Sequence, residues 1–446
     1  MNTYNVVIDA SMIRNMLQTD MKESVDLLSL QQVLYFVFLG LLPAYIIYKL
    51  PLHIRSYRVE CTAKLKQLLV LTLIMGLTLF GFFKHFSSFA REHKPLRYTA
   101  NPTYWLYSVG KYVSNTLSSG KIVVSPTGMD AKVVKSKDEK PKLVIMVVGE
   151  ATRADHLKFN GYSKNTTPQL EKEEIVNLEN VFSCGTSTAV SVPCMFSYYP
   201  KSDYSYKKGI RKENVLDVLN HTKNISILWR DNNSDSKGVA LRVPYENYKN
   251  NKRNTVCIEG ECRDEGMLVG LESYIEKQKN KDVLIVLHQM GNHGPAYYKR
   301  YTQAFETFTP VCKTNQLEAC TKEEINNAYD NALRYTDDFL VKTIGLLKQY
   351  NQTHQTAMLY MSDHGESLGE NGIYLHGMPY FMAPDAQVHI ATLLWENDAM
   401  KTSFDFSKIP TSTTYTQDYL FHSLLGLFKV KTKVYDETLD LFKLSK

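Results

Sequence analysis

Two long apolar runs near the start of the chain constrain its fold more than any other feature. They span residues 30–48 and 67–83. Each run is close to the length of helix that crosses the roughly 30 Å of hydrocarbon in a bilayer. Neither run shows the polar face that a helix on a soluble protein usually has. Two transmembrane helices are therefore favoured over the alternative of two buried core helices.

Charges around these runs indicate a topology. The segment between them is basic, as the positive-inside rule expects of a cytoplasmic loop. The first 28 residues carry more acidic than basic side chains, although the segment after the second run is basic as well. Two crossings then place both the N-terminus and the residues after 84 outside the cytoplasm. The net charge of +6 is too small to indicate nucleic-acid binding, and no nucleic-acid partner is expected.

Six of the seven cysteines fall in short-range pairs, which are Cys184 with Cys194, Cys257 with Cys262, and Cys312 with Cys320. Such pairs in one soluble region indicate disulfides and an oxidising compartment. A zinc ribbon is the alternative, but the chain has no CxxC pair. The seventh, Cys61, lies between the apolar runs and is expected to be an unpaired cytoplasmic thiol.

Two segments separate the apolar runs from the rest of the chain. Residues 102–116 combine aromatic side chains with few charges, which is typical of a helix at the lipid interface. A surface helix packed on the soluble domain explains them equally well. Residues 117–141 are rich in Ser, Gly, Pro and Lys and are predicted to be a linker.

From residue 142 onward, apolar strands alternate with helical stretches. The predicted strands are 142–150, 225–231, 282–290, 356–366 and 388–396, and the predicted helices include 264–280 and 321–350. Continuous apolar strands alternating with helices indicate a mainly parallel sheet covered on both faces. In such sheets, ligands bind beyond the carboxyl ends of the strands.

Acidic and imidazole side chains follow several of these predicted strands. The candidates are Glu150, His288, His293, Asp363, His364 and Glu366. Carboxylates and imidazoles gathered at one sheet edge are ligands for a divalent metal, and a mixed oxygen and nitrogen set favours zinc. Taken singly, each residue has an ordinary role in a turn or on a solvated strand end.

The stretch SCGTSTAVSVPCMFS, residues 183–197, places several hydroxyls between a short strand and a predicted helix. A hydroxyl at a helix N-terminus lies beside backbone N–H groups that hold phosphate. Coordination to zinc would also lower its pKa and make it a nucleophile. Capping and turn formation are the ordinary alternative. The residues alone do not choose among Thr186, Ser187, Thr188 and Ser191.

Six motifs together resemble one known family, the lipid A phosphoethanolamine transferases, which include the mobile colistin-resistance enzymes. The motifs are VVGEATRADHLKFNGY (147–162), SCGTSTAVSVPCMFS (183–197), LWRDNNSDSKGV (228–239), HQMGNHGPAYYKRY (288–301), AYDNALRYTDD (328–338) and SDHGESLGENGIYLHGMP (362–379). The resemblance covers residues 142–430 and continues into the apolar part. Motifs of this length in one order are highly specific.

The resemblance implies an alkaline-phosphatase/sulfatase-like α/β/α sandwich on an α-helical membrane anchor. It implies Thr188 as the residue that carries a covalent phosphoethanolamine group. The implied zinc ligands are Glu150, Thr188, Asp363 and His364, for one zinc ion or two. Residues around the substrate phosphate or a second zinc match Ser234, Lys237, His293 and His376. The family's three disulfides match the three cysteine pairs.

The N-terminal segment also matches the family, at Asn15, Thr19 and Glu23. Their spacing of four residues puts all three on one face if the segment is helical. The resemblance implies that this periplasmic helix helps to hold the ethanolamine head group. Without the resemblance, a polar face on a surface helix would be the simpler interpretation.

The predicted organisation has four parts. Residues 1–28 form a periplasmic helix near the active site, and 29–84 form two transmembrane helices with a cytoplasmic loop. Residues 85–141 form the interfacial helix and linker, and 142–446 form the periplasmic catalytic domain. The family usually has five transmembrane helices, so this chain departs from the pattern by beginning at what matches the loop before the last two.

The implied function is transfer of phosphoethanolamine from phosphatidylethanolamine to a lipid A phosphate of lipopolysaccharide. A zinc-activated Thr188 attacks the donor, Lys237 stabilises charge on the phosphoryl oxygens, and His293 or His376 protonates the leaving oxygen. The less anionic product binds polymyxin and other cationic peptides less well. The implied enzyme is a multi-pass monomer of the Gram-negative inner membrane, surrounded by membrane lipids, with its catalytic domain in the periplasm.

Several alternatives stay open at this point. Another surface glycan is an alternative acceptor, and a truncated, inactive homologue that binds zinc is an alternative to an enzyme. A sulfatase is disfavoured because Cys194 is followed by Met-Phe-Ser instead of the x-Pro-x-Arg of the sulfatase motif. A phosphoglycerol transferase shares the fold and a threonine nucleophile, but the cysteine pairs and HQMGNHGP argue against it.

Overall fold

The computed structural model describes residues 7–19, 28–51, 56–83, 96, 98, 100–117, 122–136, 138–258, 260–278 and 281–444. The chain divides into two units, one of Met1–Asp26 with Ser108–Lys446 and the other of Leu27–Tyr107. The α-helices, in chain order, are α1 (Ala10–Gln18), α2 (Leu30–Lys49), α3 (Tyr57–Gly81), α4 (Thr103–Leu117), α5 (Thr188–Met195), α6 (Tyr206–Gly209), α7 (Val215–His221), α8 (Leu271–Lys277), α9 (Lys322–Lys348), α10 (Asp385–Val388), α11 (Asp398–Lys401) and α12 (Tyr419–Leu427).

The strands are mostly in the larger unit. In chain order they are β1 (Lys132–Val133), β2 (Lys142–Gly149), β3 (Val176–Asn177), β4 (Asn180–Phe182), β5 (Ile225–Asp231), β6 (Tyr245–Asn247), β7 (Cys257–Ile258), β8 (Glu261–Cys262), β9 (Asp282–His288), β10 (Gln355–Ser362), β11 (Ser367–Leu368), β12 (Tyr374–Leu375), β13 (His389–Ile390), β14 (Thr392–Glu396), β15 (Thr414–Thr416) and β16 (Val430–Lys431).

The smaller unit contains the two predicted apolar helices, α2 and α3. Both are long and apolar enough to cross a membrane, and no residue of their most apolar windows is buried. A helix of a soluble core would bury these side chains, so the exposure argues against that alternative. A π-helical turn at Phe36–Leu41 ends two residues before Pro43. Proline lacks the N–H that an α-helical ladder needs, which explains the altered hydrogen bonding there.

A seven-stranded sheet forms the centre of the larger unit, in the order β3-β14-β10-β2-β9-β5-β6. Strands β10, β2, β9, β5 and β6 run parallel to one another. Gly149 at the end of β2 pairs with Ser362 at the end of β10, and Asp231 of β5 pairs with His288 of β9. The carboxyl ends of these four strands therefore meet at one edge.

Two hydrophobic cores cover the two faces of this sheet. Val144 and Met146 of β2 belong to a core that includes residues of α7 and α12. Ile145 and Val147 belong to a second core with residues of α8 and α9. Successive side chains of a strand point to opposite faces, so β2 must be apolar throughout. The predicted α/β/α sandwich is confirmed.

Two predicted elements differ from the structure. The strand predicted at 388–396 begins at Thr392 and runs antiparallel to β10, while His389–Ile390 pairs with β4 instead. The helix predicted at 264–280 is a 3-10 turn followed by α8, which begins only at Leu271. Gly270 interrupts it with a left-handed φ of 73°, and Asp264 uses its carboxylate to accept the N–H groups of Met290 and Gly291.

Part of the segment predicted as a linker is packed against the larger unit. Lys132–Val133 pairs antiparallel with Val430–Lys431, and Thr127 and Ala131 are buried. The polar composition of this segment indicated a solvent-exposed linker. Its pairing with Val430–Lys431, which are distant in sequence, instead holds it against the larger unit.

Disulfides join all three predicted cysteine pairs. The bonds are Cys184 to Cys194, Cys257 to Cys262, and Cys312 to Cys320. The bond between Cys312 and Cys320 closes the loop that precedes α9, and both residues pack in a small apolar cluster with Leu317. The prediction of three disulfides is therefore confirmed for all three pairs. Cys61 is free and exposed, as expected.

Glu396, at the end of β14, provides a test of this packing. Its Oε1 accepts the N–H of Phe406 at 2.7 Å, while burial raises the pKa of its carboxyl from 4.5 to about 7. The folded protein then retains a proton that the unfolded chain releases between these values. The free energy of unfolding falls as the pH rises through this range.

We expect Glu396→Gln to remove this pH-dependent loss of stability, because glutamine does not titrate. Its amide oxygen can still accept the N–H of Phe406. The Tm of the purified full chain, measured by circular dichroism, should rise relative to the parent by about 2–4 °C between about pH 5 and about pH 8. A Tm difference that stays constant across this pH range would contradict the assignment.

Candidate active site

The carboxyl edge of the sheet gathers the loops that carry the predicted ligands. Glu150 follows β2, and Asp363 and His364 follow β10. The backbone N–H of Asp363 donates to Gly149 O at 2.9 Å, which joins the two loops. The parallel register of β2 and β10 thus brings together residues more than two hundred positions apart.

Three of the predicted ligands converge on one point. One ligand atom from each of Glu150, Asp363 and His364 lies within 4.8 Å of the other two, and all three side chains are fully buried. His364 Nε2 is 3.4 Å from Glu150 Oε1 and 3.3 Å from Asp363 Oδ2. Two carboxylates and an imidazole in this arrangement are a suitable donor set for a divalent cation.

Thr188 completes this cluster. Its Oγ1 lies 3.2 Å from Glu150 Oε2 and 3.3 Å from His364 Nε2. It is the first residue of α5, where backbone N–H groups have no partner within the helix. The hydroxyl is therefore both beside the carboxylates and at a helix N-terminus.

The neighbouring hydroxyls have structural roles. Thr186 donates to Met378 O at 2.6 Å, and Ser191 accepts the N–H of Gly185 at 3.0 Å. Ser187 precedes α5 as its N-cap residue, and its side chain makes no capping hydrogen bond. The geometry thus separates Thr188 from the other candidates, which the residues alone did not do.

The polar atoms of the cluster fit a metal. Asp363 Oδ1 accepts N–H groups from Ala151 and His364, but Oδ2 is buried with no hydrogen-bond partner among the described residues. Burial raises the pKa of the Asp363 carboxyl. Burial also holds the pKa of His364 well below its usual value, which favours the neutral, metal-binding form of the imidazole. His364 Nδ1 lies 2.8 Å from Gly365 O, so Nδ1 carries the proton and Nε2 faces the cluster.

Two residues that the sequence analysis missed hold these groups in place. Asn233 donates to Glu150 Oε2 and to Gln289 O, both at 2.7 Å. Gln417 donates to Asp363 O at 2.8 Å and accepts the N–H of Cys184 at 2.7 Å. Asn233 could have been predicted as a site residue, because it follows the carboxyl end of β5 closely. Gln417 could not, because only the tertiary fold brings it to the site.

The loop after β5 presents Ser234 and Lys237. Ser234 Oγ donates to Asn233 Oδ1 at 3.0 Å, and Lys237 Nζ donates to the carbonyl oxygens of Gln18 and Ser234 at 3.3 and 3.5 Å. Asp235 and Lys237 both have positive φ, at 116° and 48°. Such backbone strain in non-glycine residues is common at functional sites.

His293 and His376 lie beside the cluster. The His376 ring centroid is 4.2 Å from that of His364 and 6.1 Å from that of His293. His376 Nδ1 is 3.1 Å from Glu366 Oε2, which orients the ring. His288, also singled out from the sequence, is instead fully buried with Nδ1 2.9 Å from Asp231 Oδ2.

Helix α1 packs on the loops of the site. Arg14 stacks on the Tyr206 ring at 3.8 Å, and Gln18 O accepts from Lys237. A Cβ built on Gly377, whose φ is +89°, would lie 3.0 Å from Met12 Cε, so α1 also approaches the loop of His376.

The prediction that Asn15, Thr19 and Glu23 share one helical face needs correction. Helix α1 ends at Gln18, and Thr19 has extended backbone with its hydroxyl bonded to Asn15 O at 2.7 Å. The hydroxyl satisfies one of the carbonyl oxygens that have no backbone partner at the helix end. Glu23 lies outside the described residues.

Comparison with known families agrees with this architecture. Residues 142–430 match the sulfatase family model, and residues 1–117 match the model described as phosphoethanolamine transferase EptA/EptB. The first match covers the seven-stranded sheet and the cluster of Glu150, Thr188, Asp363 and His364. The second covers α1 to α4.

Individual proteins match along nearly the whole chain. Phosphatidylethanolamine transferase Mcr-2 from Escherichia coli is 44% identical over 442 residues, covering 96% of this chain and 80% of that protein. Phosphoethanolamine transferase EptA from Escherichia coli K12 is 39% identical over 449 residues, covering 99% and 82%.

A solved structure extends the likeness to both units. It is the integral membrane protein lipooligosaccharide phosphoethanolamine transferase A (EptA) from Neisseria meningitidis, with a TM-score of 0.93 and 34% identity. The match covers 100% of this chain and 84% of that one. The chain therefore belongs to the phosphoethanolamine transferase family of enzymes, whose EptA and Mcr members it matches along almost its entire length.

Proposed function

We propose that this enzyme transfers phosphoethanolamine from phosphatidylethanolamine to a phosphate of lipid A, through a covalent intermediate on Thr188. One observation carries the proposal: Thr188 Oγ1 lies within 3.3 Å of both Glu150 and His364 at the start of a helix. A hydroxyl buried among potential metal ligands is placed for nucleophilic attack on phosphorus.

Glu150, Thr188, Asp363 and His364 would hold one zinc ion. The unpartnered Asp363 Oδ2 and the deprotonated Nε2 of His364 support this assignment. When bound, zinc lowers the pKa of a coordinated hydroxyl and polarises phosphoryl oxygens. Asn233 holds Glu150 in the orientation that this role requires.

In the first half-reaction, Thr188 Oγ forms a bond to the donor phosphorus as the bond to the diacylglycerol oxygen breaks. Lys237 lies in a strained loop near the site and stabilises charge on the phosphoryl oxygens, and Ser234 binds the same group. Asn15, Thr19 and Glu23 receive the ethanolamine head group. The N–H groups at the start of α5 stabilise the phosphothreonine.

The leaving diacylglycerol oxygen takes a proton from His376 or His293. Glu366 Oε2 lies 3.1 Å from Nδ1 of His376 and orients the ring for this proton transfer. In the second half-reaction, an oxygen of the acceptor phosphate bonds to the phosphorus. The Thr188 Oγ–P bond breaks, and Oγ takes the proton that the attacking acceptor phosphate releases, which restores the threonine hydroxyl.

We propose the Gram-negative inner membrane as the location. Residues 29–84 would contain two crossings joined by a cytoplasmic loop, and 1–28 and 142–446 would lie in the periplasm. Three disulfides in the larger unit support an oxidising compartment. Phosphatidylethanolamine, lipid A or lipopolysaccharide, and membrane lipids are the partners, and the protein acts as a monomer.

Mass spectrometry of the chain expressed in a Gram-negative host tests the intermediate. Trypsin releases Glu173–Lys201, which contains the nucleophile, and we expect a phosphoethanolamine adduct on Thr188 in this peptide. Thr188→Ala should abolish the adduct and lower lipid A transfer about 1000-fold or more, because no other hydroxyl of the described residues occupies the cluster.

Thr186→Val is the matched control, since Thr186 lies in the same peptide but its hydroxyl bonds to Met378 O. The adduct on Thr188 should persist in this variant. Zinc-loaded, folded parent protein that neither forms the adduct nor turns over a phosphatidylethanolamine analogue would instead support an inactive homologue.

Zinc content tests the ligand set independently of activity. We expect Asp363→Asn to reduce zinc affinity at least about 100-fold, and Asn233→Ala to reduce it about 10–100-fold by releasing Glu150. Elemental analysis of the purified chain after dialysis measures both. Asp398→Asn, at an exposed position on α11, should retain the metal. Equal zinc content in all three variants would exclude this site.

Lipid A analysis tests the acceptor. Expression in a polymyxin-sensitive host should yield lipid A carrying added phosphoethanolamine and raise polymyxin resistance, because neutralising phosphate charge weakens cationic peptide binding. Thr188→Ala should do neither. Modified glycans with unmodified lipid A would point to another surface acceptor.

A further inference from the structure

A cleft of about 520 Å³ opens beside Lys237, within the larger unit. Its walls come from the end of α1, residues 122–124, α6 with the turn after it, and the loop 235–242. This volume lies in the range of sites that bind small molecules or ligand head groups. Pro193, on the helix that starts at Thr188, also lines the cleft and connects it with the nucleophile's helix.

Two lysines in this cleft have no acidic partner among the described residues. Lys237 Nζ bonds only to carbonyl oxygens, as described above. Lys212 Nζ lies 4.5 Å from the Tyr198 ring centroid and 5.4 Å from that of Tyr199. Neither ammonium has a carboxylate within 4.0 Å in the part of the chain that the structure covers, so both charges are available to a ligand.

The other charged groups of the lining have partners. Arg242 donates to both carboxylate oxygens of Asp217, at 2.8 and 2.6 Å. Glu213 Oε2 accepts the N–H of Thr127 at 2.8 Å and lies 2.7 Å from His221 Nε2. Asp235 accepts the N–H of Lys237. Among the described lining residues, Lys212 and Lys237 are therefore the cations without a carboxylate partner.

The walls between these lysines are partly apolar, with Leu17, Ile122, Val124 and Leu241 among the lining residues. Two free ammonium groups beside apolar walls suit a phosphorylated amphiphile. The donor's head group carries one phosphate beside a cationic amine, so it gives an anionic partner to Lys237 but leaves Lys212 without one. The acceptor's phosphate is anionic and must approach a second phosphate on Thr188, so cations must offset the repulsion between them.

We infer that this cleft binds the phosphorylated sugar of the acceptor lipid, and that Lys212 holds a phosphate of that sugar. The inference rests on the proposed function and names the acceptor's part of the site. Lys212 then acts only in the second half-reaction, whereas Lys237, whose Nζ bonds to Ser234 O in the loop after β5, acts in both.

Two assays on the purified full chain separate the half-reactions. The first measures the Thr188 adduct formed from phosphatidylethanolamine alone. The second measures transfer to diphosphoryl lipid A. Lys212→Met keeps an apolar stem against Tyr198 and removes the charge. We expect adduct formation within about twofold of the parent and an apparent KM for lipid A about tenfold higher.

Lys207→Met is the matched control, because Lys207 lies exposed on α6 and does not line the cleft. It should change both assays by less than about twofold. Lys212→Arg retains the charge and should restore most of the affinity for lipid A.

An unchanged KM in Lys212→Met, or an equal increase in Lys207→Met, would overturn the inference. Loss of the Thr188 adduct in Lys212→Met would overturn it as well, since Lys212 would then serve the donor step or the fold. Absence of the adduct in the parent contradicts the proposed function itself. An adduct with an unaltered KM contradicts only the acceptor cleft.

Discussion

Two buried carboxylates facing one imidazole nitrogen are the constraint on which the site depends. Glu150 and Asp363 both direct an oxygen at His364 Nε2, with no exposure to solvent. Burying like charges together is unfavourable unless a countercharge is present. Hydrogen bonds from Asn233, Ala151 and Gln417 in the surrounding loops preserve this arrangement. Such support is expected when the cluster holds a cation, and Thr188 lies where that cation would act.

The fold and much of the cluster were predictable because they follow local rules. A strand such as β2 that is apolar at successive positions is predicted from its composition to be buried on both faces of a sheet. Neighbouring parallel strands have their carboxyl ends at a common edge. Glu150, Asp363 and His364 each come directly after such a strand. The choice of Thr188 depended on resemblance, since all four hydroxyls satisfy the rules for caps and turns equally well. The structure then gave a physical reason: Thr186 and Ser191 are hydrogen-bonded elsewhere, and the Thr188 hydroxyl contacts both Glu150 and His364.

What escaped prediction depends on contacts between distant segments. The antiparallel direction of β14 is set by pairing with β10, which its own residues do not encode. The segment 122–136 is polar enough to be a linker, yet strand pairing with Val430–Lys431 fixes it. Helix α1 ends at Gln18, and the Thr19 side chain bonds to the carbonyl of Asn15. Gln417 joins the Asp363 loop to the Cys184 loop from far along the chain.

The packing of α1 on the sheet domain has a topological consequence. Arg14 stacks on Tyr206 and Gln18 bonds to Lys237, so the two ends of the apolar segment depart from one folded body. A body cannot lie on both sides of a bilayer, so the proposed membrane topology requires an even number of crossings between these contacts. Two helices satisfy that parity. Adding or deleting a single crossing there would separate α1 from Lys237 by the full thickness of the membrane.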